Sequence, residues 1–174
     1  LQGGNYPGAD DLMQFIERAA ARLTQDPFAM GHVFRVRAYR TLVAGDPADS
    51  LSLFEQAIES LERAGDVRAA CRHRTSCGAV HLELGDYEHA VEVLRRALVD
   101  SDKMGLTAVT AGAWHNLGMA LARVGLHDEG LREETRAVAS FAAQGDRRME
   151  GAARLYCAFI RLMAGHAREA EENA

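Results

Sequence analysis

Small and apolar residues recur along this chain with the spacing of helices that are buried on one side. Two stripes, forty residues apart, comprise Leu51, Phe54 and Ala57, and Val91, Leu94 and Ala97. A third copy follows at Leu131 and Ala137, where Glu134 interrupts the apolar pattern. Residues three or four apart share one helix face, so each stripe predicts a helix that packs against a neighbour.

Glycines at intervals of twenty residues divide these stripes into elements of equal length. They are Gly45, Gly65, Gly85, Gly105, Gly125, Gly145 and Gly165. Glycine adopts the left-handed conformation that closes a helix at little cost, so the interval predicts helices of four or five turns separated by tight corners. Four of these glycines precede an aspartate that would cap the next helix, namely Asp46, Asp66, Asp86 and Asp146.

The corners predict a regular series of helices along most of the chain. Their expected bounds are 28–44, 47–64, 67–84, 87–104, 107–124, 127–144 and 147–164, with an earlier helix at about 9–24 and another beginning at 167. Small residues mark the close approach of paired helices at Ala38, Gly78, Gly118 and Ala158. We therefore predict an all-α fold, a right-handed solenoid of antiparallel helix hairpins.

The regular spacing of the corner glycines also predicts the domain organisation. Residues 1–27 would hold a loop and the helix of a partial preceding repeat. One continuous domain would follow, with repeats at 28–66, 67–106, 107–146 and an incomplete one at 147–174. Because a missing second helix would expose the apolar side of 147–164, we expect either a longer parent protein or a homodimer formed through that end.

Composition narrows the range of partners. The formal net charge is −5, from 20 basic and 25 acidic residues, and no stretch concentrates Lys and Arg. This argues against direct binding of nucleic acid, and the lack of a long apolar run argues against a membrane span. Cys71 and Cys77 lie six residues apart on one predicted helix, ~9 Å in rise, which is beyond disulfide reach. A reducing, cytoplasmic location is the expectation.

Two segments carry a family resemblance, CGAVHLELGDYEHAVEVLRRAL and AWHNLGMALARVGLHDEGLREETRAVASF. Their Gly78, Gly85-Asp86-Tyr87, Ala90 and Ala97, and their Trp114, Leu117-Gly118 and Gly125, resemble the tetratricopeptide repeat (TPR) across about residues 28–174. The period of forty is similar to the long-helix variety of bacterial multidomain signalling proteins linked to kinases, cyclases or ATPases. The resemblance implies a non-catalytic scaffold for a protein or peptide, without a cofactor, within a larger cytoplasmic regulatory protein.

In this family the first helix of each repeat lines a concave groove that holds the partner. When the groove positions of the family are transferred to the equivalent positions of this sequence, the resemblance implies the following groove residues: Arg35, Tyr39, Arg72, Thr75, Ser76, His115, Asn116, Met119, Arg123, Tyr156 and Phe159. Arg35 and Arg72 would bind a carboxylate, and Asn116 would pair with a peptide amide. The apolar group Leu155, Tyr156, Phe159 and Met163 has two interpretations, either a ligand site or packing for a following helix.

Candidate catalytic and metal residues are few. His73, Cys77 and His81 share a helix stripe, but the two histidines are ~12 Å apart along the axis, too far for one zinc ion. Cys157 lacks an accompanying oxyanion loop or orienting acid, and no phosphate-cradling motif occurs. We therefore predict no catalytic, metal or cofactor site. His32, His89, His127 and His166 are expected near helix ends, as solvated residues or caps, and Trp114 in the core.

Three alternatives to a plain binding scaffold stay open at this point. The chain could be a peptide-gated regulatory domain of a transcription activator or kinase, in which a ligand changes the curvature of the solenoid. It could be a self-association module that uses its unfinished end. The third alternative is an enzyme that uses Cys157 or the stripe from His73 to His81.

Overall fold

The structure, a computed structural model, describes the backbone of residues 7–165 and the side chains from residue 11 onward. Within that range the chain forms eight α-helices and no strand. The helices are α1 (Pro7–Ala20), α2 (Pro27–Val43), α3 (Pro47–Arg63), α4 (Val67–Leu84), α5 (Tyr87–Lys103), α6 (Thr107–Arg123), α7 (His127–Gln144) and α8 (Arg147–Met163). The predicted all-α fold is confirmed.

The bounds of α2 to α8 agree with prediction to within one residue, whereas the end of α1 was predicted wrongly. The helix stops at Ala20, because the amides of Arg22 and Leu23 donate to carbonyls only three residues back. Asp26 then caps α2 by accepting from the amides of Phe28 and Ala29, at 3.0 and 3.1 Å. The helix predicted to begin at 167 and the cap predicted at His166 lie outside the described residues.

The corner glycines have the conformation that their spacing predicts. All seven have positive φ, from 64° at Gly105 to 92° at Gly45, and in the described chain no other residue type does. After each of the six corners from Gly45 to Gly145, the next amide donates to the carbonyl five residues back, as Asp46 does to Thr41 at 3.1 Å. This bond closes the end of the helix, so the six helices α2 to α7 all end in the same way.

Three of the four predicted aspartate caps are confirmed. Asp46, Asp66 and Asp146 each accept a hydrogen bond from an amide three residues on, at 3.0–3.1 Å. The prediction for Asp86 was wrong, because its carboxylate makes no bond to the amides of α5. Two histidine side chains occupy it instead, as described below.

The chain divides into two compact units, 7–73 and 74–165 in the described range, and the boundary falls within α4. In the first unit α3 packs along α2, with Phe54 fully buried and the ring of Tyr39 edge-on to it at 5.0 Å. Leu61 packs with Ala69 and Ala70 at the start of α4.

In the second unit, α5 to α8 pack in sequence, and α6 also reaches α8. One buried cluster joins α5 to α6 through Ala90, Leu94, Leu117, Ala120 and Leu121. Another joins α6, α7 and α8 through Ala111, Ala137, Phe141 and Ala153, with Trp114 and Met149 packed against it. The prediction that Trp114 belongs to the core is confirmed.

The small-residue columns predicted from the sequence are buried. They comprise Ala38, Gly78, Gly118 and Ala158, and Ala57, Ala97 and Ala137. Their burial explains the regular helix pairing, because small side chains let two backbones approach closely. The repeat boundaries and the single continuous domain stay predictions. None of the helices described is both long and apolar enough to cross a membrane.

Candidate functional site

The predicted groove residues divide between the two units. Arg35, Tyr39 and Arg72 belong to the first unit, where α2 and the start of α4 carry them. The others, Thr75, Ser76, His115, Asn116, Met119, Arg123, Tyr156 and Phe159, belong to the second unit. They lie on α4, α6 and α8, the first helices of successive hairpins.

In the first unit, Arg35 and Arg72 lie close enough to His73 to affect its protonation. Burial of the imidazole comes first and the two arginines second, and together they lower the pKa of His73 to about 4. The ring of His73 stacks on Phe54 at 5.9 Å, and its Nδ1 has no hydrogen-bond partner among the described residues. His73 is therefore a neutral core residue at physiological pH.

His32 does not lie at a helix end as predicted. It occupies the second turn of α2 with its Nδ1 buried, and its ring meets Phe28 edge-on at 4.6 Å. The helix-end positions predicted for His89 and His127 are confirmed, in the first turn of α5 and at the first residue of α7.

In the second unit, six residues from three helices form what we call the α4–α6–α8 face: Thr75, Ser76, Asn116, Met119, Tyr156 and Phe159. Phe159 is 48% exposed and the other five are half-buried. The helices are neighbours here, since α6 contacts α8 and the Thr75 methyl lies 3.9 Å from the Cβ position of Gly112 on α6. The rings of Tyr156 and Phe159 are 6.1 Å apart. This face combines polar and aromatic groups that remain accessible.

His115 is buried, so it is not an exposed groove residue. Its Nδ1 lies 2.5 Å from Oε1 of Glu134 on α7, and its ring meets Tyr156 edge-on at 5.0 Å. Glu134 is fully buried, and its Oε2 has no hydrogen-bond partner in the part of the chain described. Burial raises the pKa of Glu134, while His115 opposes that rise. The pair supports the α4–α6–α8 face from inside.

Sequence reasoning missed this pair, although it contained the signal. In the sequence Glu134 is the one interruption of an apolar column, but the family resemblance predicts that its partner His115 lines the groove. Gly118 makes the room for the pair, because a Cβ there would lie 2.6 Å from Glu134 Oε2 and 2.9 Å from the carbonyl oxygen of Gly130. An acid in a buried column opposite a glycine and next to a histidine is a pattern that a search could use.

Arg123 lies at the C-terminal end of α6 and has a different contact from the one expected of a groove residue. Its guanidinium is exposed and lies 5.8 Å from the ring centroid of Tyr87 on α5. An arginine over an aromatic face is attracted by the ring quadrupole, so Arg123 joins α5 to α6.

Asp86 forms a polar cluster at the corner between α4 and α5. Its carboxylate lies 2.9 Å from His81 Nδ1 and 2.7 Å from His89 Nδ1. The hydrogen bond to His89 is the largest effect on both groups, and it lowers the pKa of Asp86 and raises that of His89. The imidazoles thus take the place of the amides that Asp86 was predicted to cap.

The three cysteines are buried and form no disulfide. Burial raises the pKa of the Cys157 thiol, and the nearby Glu134 adds to the effect. A nucleophilic cysteine needs the opposite shift, toward the thiolate. Among the side chains that the structure describes, no group of three or more His, Cys, Asp and Glu residues is arranged to hold a metal ion.

Two open cavities are lined by residues that do not belong to the α4–α6–α8 face. One, of about 770 Å³, lies between α1 and α2 and is lined by Met13, Gln14, Glu17, Arg18, Arg37, Arg40 and Thr41. The other, of about 520 Å³, lies between the end of α7 and the start of α8 and is lined by Ala142, Gly145, Arg147, Glu150, Gly151 and Arg154. In the first cavity Arg37 forms an ion pair with Glu17.

Comparison with known proteins supports the resemblance seen in the sequence. A family model described as tetratricopeptide repeat matches residues 78–98, which run from the end of α4 into α5. The fold is TPR-like. No curated protein matches the sequence itself. The long-helix signalling variety therefore stays a prediction.

Solved structures show the same fold at low sequence identity. BtubC (BKLC) from P. vanneervenii has a TM-score of 0.80 at 16% identity, over 96% of this chain and 70% of that one. A putative kinesin light chain with TPR-like repeats from Podosopora anserina has a TM-score of 0.74 at 15% identity, over 95% and 82%. The MamA RS-1 ArsTM double mutant has a TM-score of 0.66 at 16% identity, over 95% and 80%. Identities this low establish the fold alone.

Proposed function

We propose that this chain is a non-catalytic scaffold that binds a protein or peptide through the α4–α6–α8 face. The observation that carries the proposal is the composition of that face. Tyr156 and Phe159 on α8 offer aromatic surface on the same face as the amide of Asn116 and the hydroxyl of Ser76. Interfaces are enriched in aromatic and methionine side chains of this kind.

The physical basis of binding is pre-organisation. Tyr156 is held by its edge-on contact with the buried His115 ring, so little side-chain freedom is lost when a partner covers it. The Asn116 amide can donate to and accept from an extended peptide backbone. Met119 and Phe159 supply an adaptable apolar surface for one anchoring side chain.

The first unit offers a smaller patch of different chemistry. Arg35 and Arg72 supply guanidinium groups that suit carboxylates, and Tyr39 lies in the turn after Arg35 on α2. We propose that acidic side chains of a partner bind here. The proposed partner of the α4–α6–α8 face is therefore a protein or peptide with an apolar anchor, and that of the first unit's patch is a protein or peptide with acidic residues, and neither nucleic acid nor a membrane.

We extend the proposal to the cellular role of this scaffold. A TPR-like scaffold of this kind suits a regulatory segment of a larger cytoplasmic signalling protein, in which partner binding biases a neighbouring domain. Formation of a homodimer through the last predicted repeat, 147–174, is a second possibility, and its final part falls outside the described residues. The exposed apolar side chains Leu155 and Met163 on α8 support either arrangement.

A peptide selection on the intact chain tests the proposal. Peptides from a random display library are ranked by affinity, and the best are measured by calorimetry against two variants, Asn116→Ala and Phe159→Ala. Each should weaken binding by about tenfold or more, since buried interface anchors are worth at least ~1.4 kcal/mol. Val99→Ala on α5 is the matched control, because Val99 is an equally exposed apolar residue on a second helix of a hairpin.

The outcome that would overturn the proposal is equally specific. Peptides that bind as tightly to Asn116→Ala and Phe159→Ala as to the wild type, but lose affinity for Val99→Ala, would place the interface on α5. A library that yields no saturable binder would remove peptide binding as the function of the α4–α6–α8 face.

A further inference from the structure

Glu134 is a fully buried carboxylate at a position that the repeat otherwise fills with an apolar side chain. The equivalent residues are Leu94 and Phe54, forty and eighty positions earlier, and all three are 0% exposed. A Cβ on Gly118 would meet Glu134, just as one on Gly78 would meet Leu94. Burying a carboxylate where a hydrocarbon fits is unfavourable, because the charge loses its water. The repeat fold does not itself require an acid here.

Among the described residues, His115 is the charged or titratable side chain that acts on Glu134. Oε1 is 2.5 Å from His115 Nδ1, and Oε2 is buried without a partner among the described residues. On the adjoining helix α8, Tyr156 meets the His115 ring and Cys157 lies near Glu134, while Arg154 and Arg161 lie near Cys157. Of these, the two arginines act on the Cys157 thiol, whose raised pKa keeps it neutral. Arg161 also has a buried Nη1 without a hydrogen-bond partner among the described residues, but the causes that shift the pKa of Glu134 are its burial and His115.

A buried pair of this kind is most stable when its net charge is zero. A carboxylate beside a neutral imidazole has a net charge of −1. The neutral pair therefore holds one proton more. Burial raises the pKa of Glu134, so the folded state favours the protonated, neutral pair. The stability that depends on this proton is fully present in acid below the unfolded pKa and is lost as pH rises through the folded pKa.

We propose that His115 and Glu134 form a proton-operated switch that controls the packing of α8 on α6 and α7. With the proton bound, the neutral pair holds Tyr156 by the edge-on contact at 5.0 Å. When the proton leaves, a buried anion remains, and its unpartnered Oε2 gains hydrogen bonds only if the three helices separate enough to admit water. The α4–α6–α8 face is then disordered around Tyr156.

This inference rests on the proposed function, since the face that the switch controls is the proposed binding surface. It adds a regulatory property that the binding proposal does not need. Partner binding, which requires an ordered Tyr156, would stabilise the protonated pair and would therefore be tighter at the acidic end of the range.

Trp114 is a built-in probe of the switch. It is the single tryptophan of the chain and packs against the cluster that joins α6, α7 and α8. The intact protein is titrated without any peptide from about pH 5 to about pH 9, upward from the acidic side because burial raises the pKa of Glu134. We expect Trp114 emission to shift to longer wavelength as pH rises, in one sigmoidal step. Amide exchange in α8 is corrected for its intrinsic pH dependence. It should accelerate by about tenfold for each unit by which the pKa of the pair differs between the folded and the unfolded state.

Two variants test whether the pair causes the transition. The double variant His115→Thr/Glu134→Leu recreates Thr75 and Leu94, the pair that the preceding repeat has at these positions. Glu134→Gln keeps the size of the side chain and its acceptor for His115 but cannot become a buried anion. Both should give flat titrations. A flat wild-type titration, or a double variant with the wild-type transition, would overturn the switch. Circular dichroism shows whether each variant is folded, and either variant alone is decisive.

The titration separates this inference from the proposed function. If selected peptides bind the wild type with an affinity that does not change between pH 5 and pH 9, the switch is wrong while peptide binding stands. If no peptide binds but Trp114 titrates as expected, the switch stands and the binding proposal fails.

Discussion

At the residue scale, two buried histidines show that the same side chain can have opposite roles in one repeat fold. His73 stacks on Phe54 with an unpartnered Nδ1, and its pKa is lowered to about 4. His115 instead lies 2.5 Å from the buried acid Glu134. Both are interior residues of first helices, so their chemistry is determined by what the neighbouring helix presents and not by their exposure.

His73 predicts a loss of stability in acid. The unfolded chain takes up a proton at the ordinary pKa of 6.5, whereas the folded protein does so only near pH 4. Stability should therefore fall as pH drops from about 6.5 to about 4, by up to about 3 kcal/mol. Urea unfolding across that range measures it, and His73→Phe should remove most of the dependence while keeping the ring.

The control for this measurement is His89→Phe, at an exposed histidine of α5. The pKa of His89 is raised by Asp86, so its contribution has the opposite sign and is lost as pH rises. His89→Phe should leave the acid-side loss in place. If His73→Phe loses as much stability in acid as the wild type does, His73 is not the neutral core residue described here.

At the scale of the element, most of the helices could be predicted because one physical rule repeats. A glycine with positive φ follows each helix from α2 to α8 and determines its length, so the glycine spacing located these seven helices. The end of α1 could not be found in this way, because no glycine marks it and Leu23 and Arg22 make short-range turns instead. Asp86 was mispredicted since the rule for caps ignores competing side chains such as His81.

The glycine rule can be tested by a pair of alanine substitutions in the second unit. Gly105 has a φ of 64° and open space around its Cβ position, so Gly105→Ala should destabilise through backbone strain alone, by about 1–2 kcal/mol. Gly151 lies inside α8 with the same open space, so Gly151→Ala should stabilise by up to about 1 kcal/mol. Thermal or urea unfolding measures both. If Gly105→Ala stabilises the folded protein and Gly151→Ala destabilises it, the role assigned to the corner glycines is wrong.

At the scale of the whole molecule, the fold was far easier to predict than the site. Equivalent positions in several repeats give the same signal, so a single unusual residue does not change the predicted fold. The column of Ala57, Ala97 and Ala137 is an example, because all three are buried. The site depends on single departures from the repeat. Glu134 looked like a break in a column, and His115 like a surface residue, because neither position reveals its partner until helix pairing is known. The TPR-like comparison has the same limit, since it establishes the scaffold and not what the scaffold binds.

The most direct test of the central claim is a chemical-shift map of the ¹⁵N-labelled chain titrated with its tightest selected peptide. The account predicts that the perturbed amides of the second unit are concentrated on α4, α6 and α8, around Ser76, Asn116 and Phe159. Perturbations concentrated on α5 and α7 instead, or around the cavity lined by Arg147 and Arg154, would contradict it.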